Sequence, residues 1–231
     1  LQVRVRDELR IIPIEVRHLK QPTPVSFREE ILPILTKAGC NSGGCHGKAE
    51  GQNGFKLSVF GNDPEGDFRS IIKEGRGRRI SQAAPEDSLF LRKATGEVGH
   101  GGGVRLRKNS RAFNVFRDWI GGGLPYEITD KSAVMSLRIE PERKILSPQA
   151  KQTLRVIALY ADRTEEDVTW QSVFHSNDVG MAKVDEYGKV TIGGSIGQTA
   201  VMARFQGKVS VFQAIVPRPG PKANLPIRPV F

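Results

Sequence analysis

Apolar positions between residues 25 and 126 recur with helical spacing, and glycine-rich loops separate them. This pattern predicts short helices over residues 67–74, 85–93 and 110–120, and a first helix that begins at residue 26 and runs directly into Gly39 and Cys40. Ser26 and Glu29 form a capping-box pattern at the start of the first helix. Three glycines end the last helix, whose apolar face we expect in the core and which consists of Phe113, Phe116, Trp119 and Ile120.

From residue 136 onward the period of the apolar positions changes from 3.6 to 2. Short alternating runs, separated by turn residues, cover 137–139, 153–160, 168–173, 182–184, 189–192, 198–205 and 209–216. Such spacing is typical of a β-sandwich. Residues 162–167 are rich in carboxylates, for which a solvated turn is a better interpretation than a calcium site because the spacing matches no known loop.

The two ends of the chain have different patterns again. Residues 1–21 alternate apolar and charged positions like one or two strands, which do not fold alone, so we expect them to end a preceding β-domain. The tail is rich in proline and is expected to be an extended linker. The predicted fold class is therefore multidomain α and β. Its parts are terminal strands (1–21), a mostly helical domain (22–128), a β-sandwich (132–218) and a linker (219–231).

The net charge of +10 raises the question of a nucleic-acid partner. Basic residues cluster only at 76–79 and 105–108, and neither cluster is interleaved with aromatic residues as a stacking surface would be. We therefore expect no nucleic-acid partner. No apolar run approaches the length of a transmembrane segment either.

The only two cysteines, Cys40 and Cys45, stand directly before His46. Covalent haem attachment uses two thiols and an adjacent histidine in the signature C-x-x-C-H, although the gap here is four residues. In that chemistry the thiols add to the two vinyl groups of the porphyrin, and the imidazole binds the iron. Gly43 and Gly44 suit a wider gap because glycine tolerates positive φ, and Gly47 would let the backbone pass close to a flat macrocycle.

Two other interpretations of this motif remain open. A Cys40–Cys45 disulfide needs an oxidising compartment and gives His46 no role. A zinc site of both cysteines and two histidines fits poorly, because adjacent ligands do not easily share one tetrahedral ion. The sequence favours haem.

The second axial ligand of such a haem is predicted by elimination. All methionines lie beyond the helical segment, and His100 is the only other histidine between residues 25 and 126. It stands in a glycine-rich loop, and we expect it to bind the iron opposite His46; the alternative is an open or water-bound position. Arg78 and Arg79 are candidates for pairing with the haem propionates. The remaining histidines, His18 and His175, are expected to be surface residues.

Two segments resemble known families. The segment 24–126 resembles the planctomycete-type cytochrome c domain. The resemblance is carried by Ala-Gly-Cys-Asn-Ser-Gly-Gly-Cys-His-Gly at 38–47 and by residues 77–79, 84–95, 100–103 and 119–126. The segment 136–216 is similar to the bacterial immunoglobulin-like group 2 domain, through residues 168–170, 188–191 and 197–207. The resemblance implies tandem domains in a large secreted or surface protein.

Together these observations predict a c-type cytochrome module with one covalent haem c and two histidine ligands, which transfers electrons to redox partner proteins. Covalent haem is attached outside the cytoplasm, so we expect a periplasmic or cell-surface location, beside further domains of the parent chain. Neither half donates an obvious ligand to the other. The alternatives are a structural module that binds a surface polymer or a protein, with the haem as sensor or spacer, and a peroxidase-like enzyme, which would need an open iron position.

Overall fold

The computed structural model describes residues 2–5, 8–11, 24–127, 133–218 and 220. Strands β1 (Gln2–Val5) and β2 (Glu8–Ile11) form an antiparallel pair, as the alternation at the start of the chain predicts. The proposed linker beyond residue 220, the junction 128–132 and His18 lie outside the described residues.

The segment 24–127 is helical, and all four predicted helices are confirmed. They are α1 (Leu32–Lys37), α2 (Pro64–Ile72), α3 (Leu89–Ala94) and α4 (Arg111–Gly121). A π-helical turn, Phe27–Ile31, leads into α1, and a 3-10 turn, Pro85–Asp87, precedes α3. Further 3-10 turns are Val59–Gly61 and Glu74–Gly77. Among the described residues no helix is both long and apolar enough to cross a membrane.

The first helical turn is capped by Ser26, with one change from the predicted partners. The Ser26 hydroxyl accepts a hydrogen bond from the Glu29 amide at 3.2 Å. The carboxylate that accepts from the Ser26 amide is that of Glu30, at 2.8 Å, rather than that of Glu29. The Ile31 amide donates a hydrogen bond to the Ser26 carbonyl, five residues back. The turn is therefore one residue wider than an α-helical turn.

An aromatic cluster forms the core of the helical part. The Phe27 ring lies 5.3 Å from Phe68 and 5.7 Å from Trp119, between centroids. The Trp119 indole donates a hydrogen bond to the Pro125 carbonyl at 3.0 Å. The Phe27 amide bonds the same carbonyl at 2.9 Å, so the two ends of the helical segment meet at this cluster. All four residues predicted on the apolar face of α4 are buried.

The segment 133–218 is a β-structure of three sheets around one hydrophobic cluster. Its strands are β3 (Val134–Glu140), β4 (Arg143–Ile145), β5 (Lys151–Thr153), β6 (Arg155–Tyr160), β7 (Glu165–Asp167), β8 (Val173–Ser176), β9 (Ala182–Val184), β10 (Lys189–Ile192), β11 (Gly197–Phe205) and β12 (Lys208–Val216). The sheet orders are β4-β12-β11-β8, β3-β6-β7 and β5-β10-β9. All pairings are antiparallel except that of β4 with β12. The chain is thus mixed: the pair β1–β2 comes first, the helices follow it, and three sheets follow the helices.

Two local predictions in this part are wrong. The run 168–173 is not a strand, because Thr169–Gln171 forms a 3-10 turn. The Asp167 carboxylate accepts from the amide and the hydroxyl of Thr169, at 3.0 and 2.6 Å, and such local bonds compete with sheet pairing. The expected acidic turn instead contains strand β7, where Arg155 pairs with Asp167 at 3.2 Å.

The helical and β parts touch through a few side chains. Trp170, in the 3-10 turn between β7 and β8, packs against the helical core. The guanidinium of Arg111 lies 4.0 Å from the centre of the Trp170 ring. A second guanidinium, that of Arg204 on β11, lies 4.2 Å from the Phe60 ring. The predicted domain boundary therefore has specific contacts across it.

Candidate cofactor site

The loop that carries the cysteines begins where α1 ends. Gly39 adopts φ +72°, a left-handed conformation that ends the helix, and the Cys40 amide bonds the Leu35 carbonyl at 2.9 Å. The loop then closes on itself, because the His46 amide donates to the Cys40 carbonyl at 3.0 Å. The first thiol and the histidine are thereby held beside each other.

The glycines of this loop have roles other than those expected. Gly43 and Gly44 are exposed, and neither has a positive φ. Gly47 is buried, and a Cβ there would lie 2.3 Å from the Asn41 carbonyl oxygen and 2.7 Å from that of Ser42. The close approach that requires glycine is therefore to the loop's own backbone.

A cavity of about 530 Å³ opens beside this loop. It brings together every residue that the sequence singles out for cofactor binding: Cys40, Cys45, His46, His100, Arg78 and Arg79. Its apolar walls are formed by Phe55, Leu89, Phe90 and Ala94. The cavity thus combines two thiols, two imidazoles and an apolar interior.

The two imidazoles both line the cavity and lie close together. The ring centroids of His46 and His100 are 6.2 Å apart, and the ring planes are inclined by only 8°. Nδ1 of His46 bonds the Phe55 carbonyl at 3.0 Å, and Nδ1 of His100 bonds the Gly103 carbonyl at 2.8 Å. In each ring Nε2 is the nitrogen left for a metal, and a carbonyl bond at Nδ1 is the usual way in which a protein orients a ligating histidine.

Burial sets the protonation of the ligand groups. It lowers the pKa of His46, and the nearby His100, Arg79 and Lys93 lower it further, so the neutral ring that a metal requires is favoured. Burial also raises the pKa of the Cys40 thiol to about 11, an effect that Arg105 partly offsets.

The two predicted arginines have different environments. Arg79 is only 6% exposed, and its guanidinium donates to the carbonyls of Ser70, Glu74 and Gly54 at 2.8, 2.6 and 2.8 Å. It also lies 4.6 Å from the centre of the Phe55 ring. Arg78 is exposed at the cavity rim and is the freer of the two to meet an anionic group.

Sequence reasoning missed several residues of the cavity. Lys93 and Arg105 line it, so its described lining includes four Lys or Arg side chains and no carboxylate. A guanidinium nitrogen of Arg105 lies 3.7 Å from the Cys45 sulfur. Arg105 belongs to the basic cluster at 105–108, which was a usable signal, whereas Phe55 stands in a glycine-rich stretch without periodicity.

The other interpretations of the cysteine motif find less support. Cys40 and Cys45 are free thiols rather than a disulfide. In the described ranges no three His, Cys, Asp or Glu side chains group to hold a metal ion, as the zinc alternative requires. His175 lies exposed on β8, as expected. Met181 is buried in the β-core, and neither it nor Met135 nor Met202 lines the cavity.

No family model matches this chain, and no curated protein matches its sequence significantly. Among solved structures, domains 4 and 5 of the S-layer protein SbsC align with a TM-score of 0.33 at 12% identity, over 38% of this chain and 54% of that chain. A structure of domains 1–6 of the surface layer protein SbsC aligns with the same TM-score of 0.33 at 17% identity, over 40% of this chain and 14% of that chain. These are partial likenesses, and the function is argued from the cavity.

Proposed function

We propose that the helical part of this chain is a c-type cytochrome domain that transfers electrons through one covalently bound haem c. Cys40 and Cys45 would form its thioether bonds, and His46 and His100 would be its axial ligands. The observation that carries the proposal is the pair of nearly parallel imidazoles, 6.2 Å apart, across a cavity that both cysteines line.

The spacing of the rings fits one metal atom between them. An imidazole nitrogen binds a first-row metal at about 2 Å, so two imidazoles on opposite sides of one ion have centroids roughly 6 Å apart. The hydrogen bonds at Nδ1 hold both rings in the tautomer that such binding needs. The volume of about 530 Å³ is in the range of small-molecule sites. The donor set and the cavity therefore fit a haem with two histidine ligands.

The residues around the cavity would each have a defined task. Cys40 and Cys45 would hold the haem through thioether bonds, in which each S–H has added across one vinyl C=C bond, so that a C–S and a C–H bond replace the S–H and the π bond with no external oxidant or reductant. Phe55 and Phe90 would exclude water from the macrocycle, and the exposed Arg78 is the best placed to pair with a propionate. When bound, the haem would supply a one-electron couple, and two imidazoles favour a potential at the low end of the c-type range.

The proposal extends to location and partners. Because haem is joined to thiols outside the cytoplasm, the chain would work in the periplasm or at the cell surface. Its partners would be redox proteins and further domains of a longer parent chain. The three sheets that follow the helical part would form an immunoglobulin-like sandwich. Since the His100 ring faces the His46 ring, electron transfer is favoured over a peroxidase reaction, which requires an open iron position.

The attachment chemistry gives the most direct test. The protein is produced in a host with cytochrome c maturation, denatured, extracted with acid and acetone, and assayed as the pyridine haemochrome. We expect haem to stay with the chain, and the double variant Cys40→Ala/Cys45→Ala to lose it on extraction. His175→Ala, which changes an exposed histidine of the β part, is the control and should keep its haem as the wild type does. A wild-type protein without haem would refute the proposed function.

A further inference from the structure

The two proposed ligands are held by unequal parts of the structure. Nδ1 of His46 is bonded to the carbonyl of Phe55, nine residues further along the same connection, and the centroids of the two rings are 4.4 Å apart. The His46 carbonyl accepts from the Leu57 amide at 2.8 Å, and the Leu57 side chain is 1% exposed. Movement of His46 would therefore disturb the hydrophobic core.

His100, by contrast, is oriented by its own turn. Its Nδ1 bonds the Gly103 carbonyl at 2.8 Å, and the Gly103 amide bonds the His100 carbonyl at 2.9 Å. The ring lies against Gly102, where a Cβ would be 2.9 Å from the imidazole Cε1. The turn 100–103 thus carries the imidazole as a self-contained unit.

Few contacts fasten this unit to the rest of the domain. Every residue from 96 to 105 is exposed or half-buried, so no buried side chain anchors the segment. Its ties are polar. Backbone amides of Gly96, Val98 and Arg105 donate to carbonyls of α3 at 3.1, 3.0 and 2.8 Å, and Lys93 donates to the Gly99 carbonyl at 2.9 Å. Glu97 pairs with Lys108 at 2.7 Å and with Arg92 at 4.0 Å, and Arg105 lies 3.7 Å from the Cys45 sulfur. Segments with few buried apolar contacts open at low free-energy cost.

We propose that His100 is an exchangeable ligand, which leaves the iron with its turn and lets a small neutral diatomic molecule bind in its place. This inference rests on the proposed function. The exchange breaks the bond between iron and Nε2 of His100 and forms one bond to the incoming molecule, and no electron or proton is transferred. Gly99, Gly101 and Gly102 line this side of the cavity and leave room for a small ligand.

Carbon monoxide is the probe, because it binds ferrous haem and is easily followed by absorbance. Reduced, haem-loaded full-length chain is mixed with increasing concentrations of carbon monoxide in a stopped-flow instrument. We expect a complete conversion to the adduct, with a rate that reaches a plateau at high concentration, because release of His100 then limits the reaction.

Two variants should move this plateau in opposite directions. Glu97→Gln removes an exposed ion pair of the segment and should raise the limiting rate by about two- to fivefold. Gly99→Ala/Gly101→Ala should lower it by about two- to fivefold, because alanine restricts the open segment. Neither glycine has a positive φ, and nothing lies within 4 Å of an added Cβ, so the closed turn tolerates both changes. Gly194→Ala, equally unobstructed in the β part, is the control and should leave the rate unchanged.

Hydrogen exchange gives a second measurement. In the adduct, exchange should accelerate at the Val98 amide, which ties the segment to α3, but not at the Leu57 amide. Faster exchange at Leu57 alone would mean that His46 is the ligand that leaves and would overturn the inference. Failure to form an adduct, or a rate that rises linearly without a plateau, would also overturn it while leaving the haem assignment intact. A protein without haem would overturn both.

Discussion

The ammonium group of Lys37, on the last turn of α1, donates a hydrogen bond to the backbone carbonyl of Trp170, 2.7 Å away and 133 positions later in the chain. The same group also donates to the Glu186 carbonyl at 2.6 Å. Because α1 leads directly into the loop that begins at Cys40, this residue connects the β part to the proposed haem site. These hydrogen bonds join the helical and β parts of the chain beside the loop that begins at Cys40.

The first prediction concerns the pH dependence of stability. Burial lowers the pKa of Lys37 from 10.5 to about 8, although Glu186 and Asp185 partly oppose this. Between these values the unfolded chain binds more protons than the folded one, so the contribution of this site to stability rises with pH. The difference in unfolding free energy between wild type and Lys37→Met should therefore shift in favour of the wild type from pH 8 to pH 10. Denaturant titrations at both pH values measure it.

The control for this experiment is Lys183→Met, which removes an exposed lysine on β9. The difference in unfolding free energy between Lys183→Met and the wild type should be the same at pH 8 and pH 10. A constant difference for Lys37→Met as well would contradict the prediction.

The second prediction concerns the ligand opposite His46. The wild-type ferric protein should be low-spin and lack the long-wavelength band of sulfur ligation. In His100→Ala the iron should become high-spin and bind cyanide readily, because the ring that faces His46 at 6.2 Å is removed. Absorbance and electron paramagnetic resonance spectra test this, with His175→Ala expected to match the wild type. Identical spectra for His100→Ala would mean that another group binds the iron.

The third prediction concerns the glycine that follows His46. Gly47→Ala should sharply reduce the yield of haem-loaded protein, because the added Cβ would lie 2.3 Å from the Asn41 carbonyl oxygen and must distort the attachment loop. Gly43→Ala, in the same loop but with open space around its Cβ, should give the wild-type yield. Haem content per chain measures both. Equal yields from the two variants would show that the loop tolerates the distortion.

The fourth prediction separates the two arginines. Arg79→Gln should lower the unfolding free energy of the haem-free protein by about 2 kcal/mol, because three backbone carbonyls lose their charged donor. Arg78→Gln should change it by less than about 0.5 kcal/mol, since that side chain is exposed. Chemical denaturation measures both. If the two variants were equally stable, Arg79 would not have the structural role that its contacts indicate.

The fifth prediction concerns the independence of the helical part. A chain of residues 22–128 should hold haem with the low-spin spectrum of the full chain, because all the proposed ligands lie within it. Its melting temperature should be lower, since Trp170 no longer covers the helical core and Lys37 loses its carbonyl partners. Absorbance and thermal melting measure the two properties. Loss of the low-spin spectrum would mean that a residue outside the helical part completes the coordination.

Local signals determined most of the elements. Helical spacing predicted the first and last helices, with Ser26 as a cap of the first, because capping and amphipathic periodicity act over neighbouring residues. The error at 168–173 has the same origin, since alternation alone does not reveal that the Asp167 carboxylate captures the amide and the hydroxyl of Thr169. The roles of Gly43 and Gly47 also depended on backbone geometry that composition does not contain.

The sequence by itself determined the candidate attachment motif, because Cys40, Cys45 and His46 are neighbours along the chain and their proximity needs no fold. It also made His100 the candidate partner, by elimination. Only the tertiary structure decided that the His46 and His100 rings lie 6.2 Å apart with nearly parallel planes. It also decided that Lys93 and Arg105 line the cavity. These relations arise from the packing of α3 against the aromatic core, through Phe90 on Phe116, which places the loop that follows α3 beside His46. Such packing depends on contacts between residues far apart in the chain, for which one sequence carries no local signal.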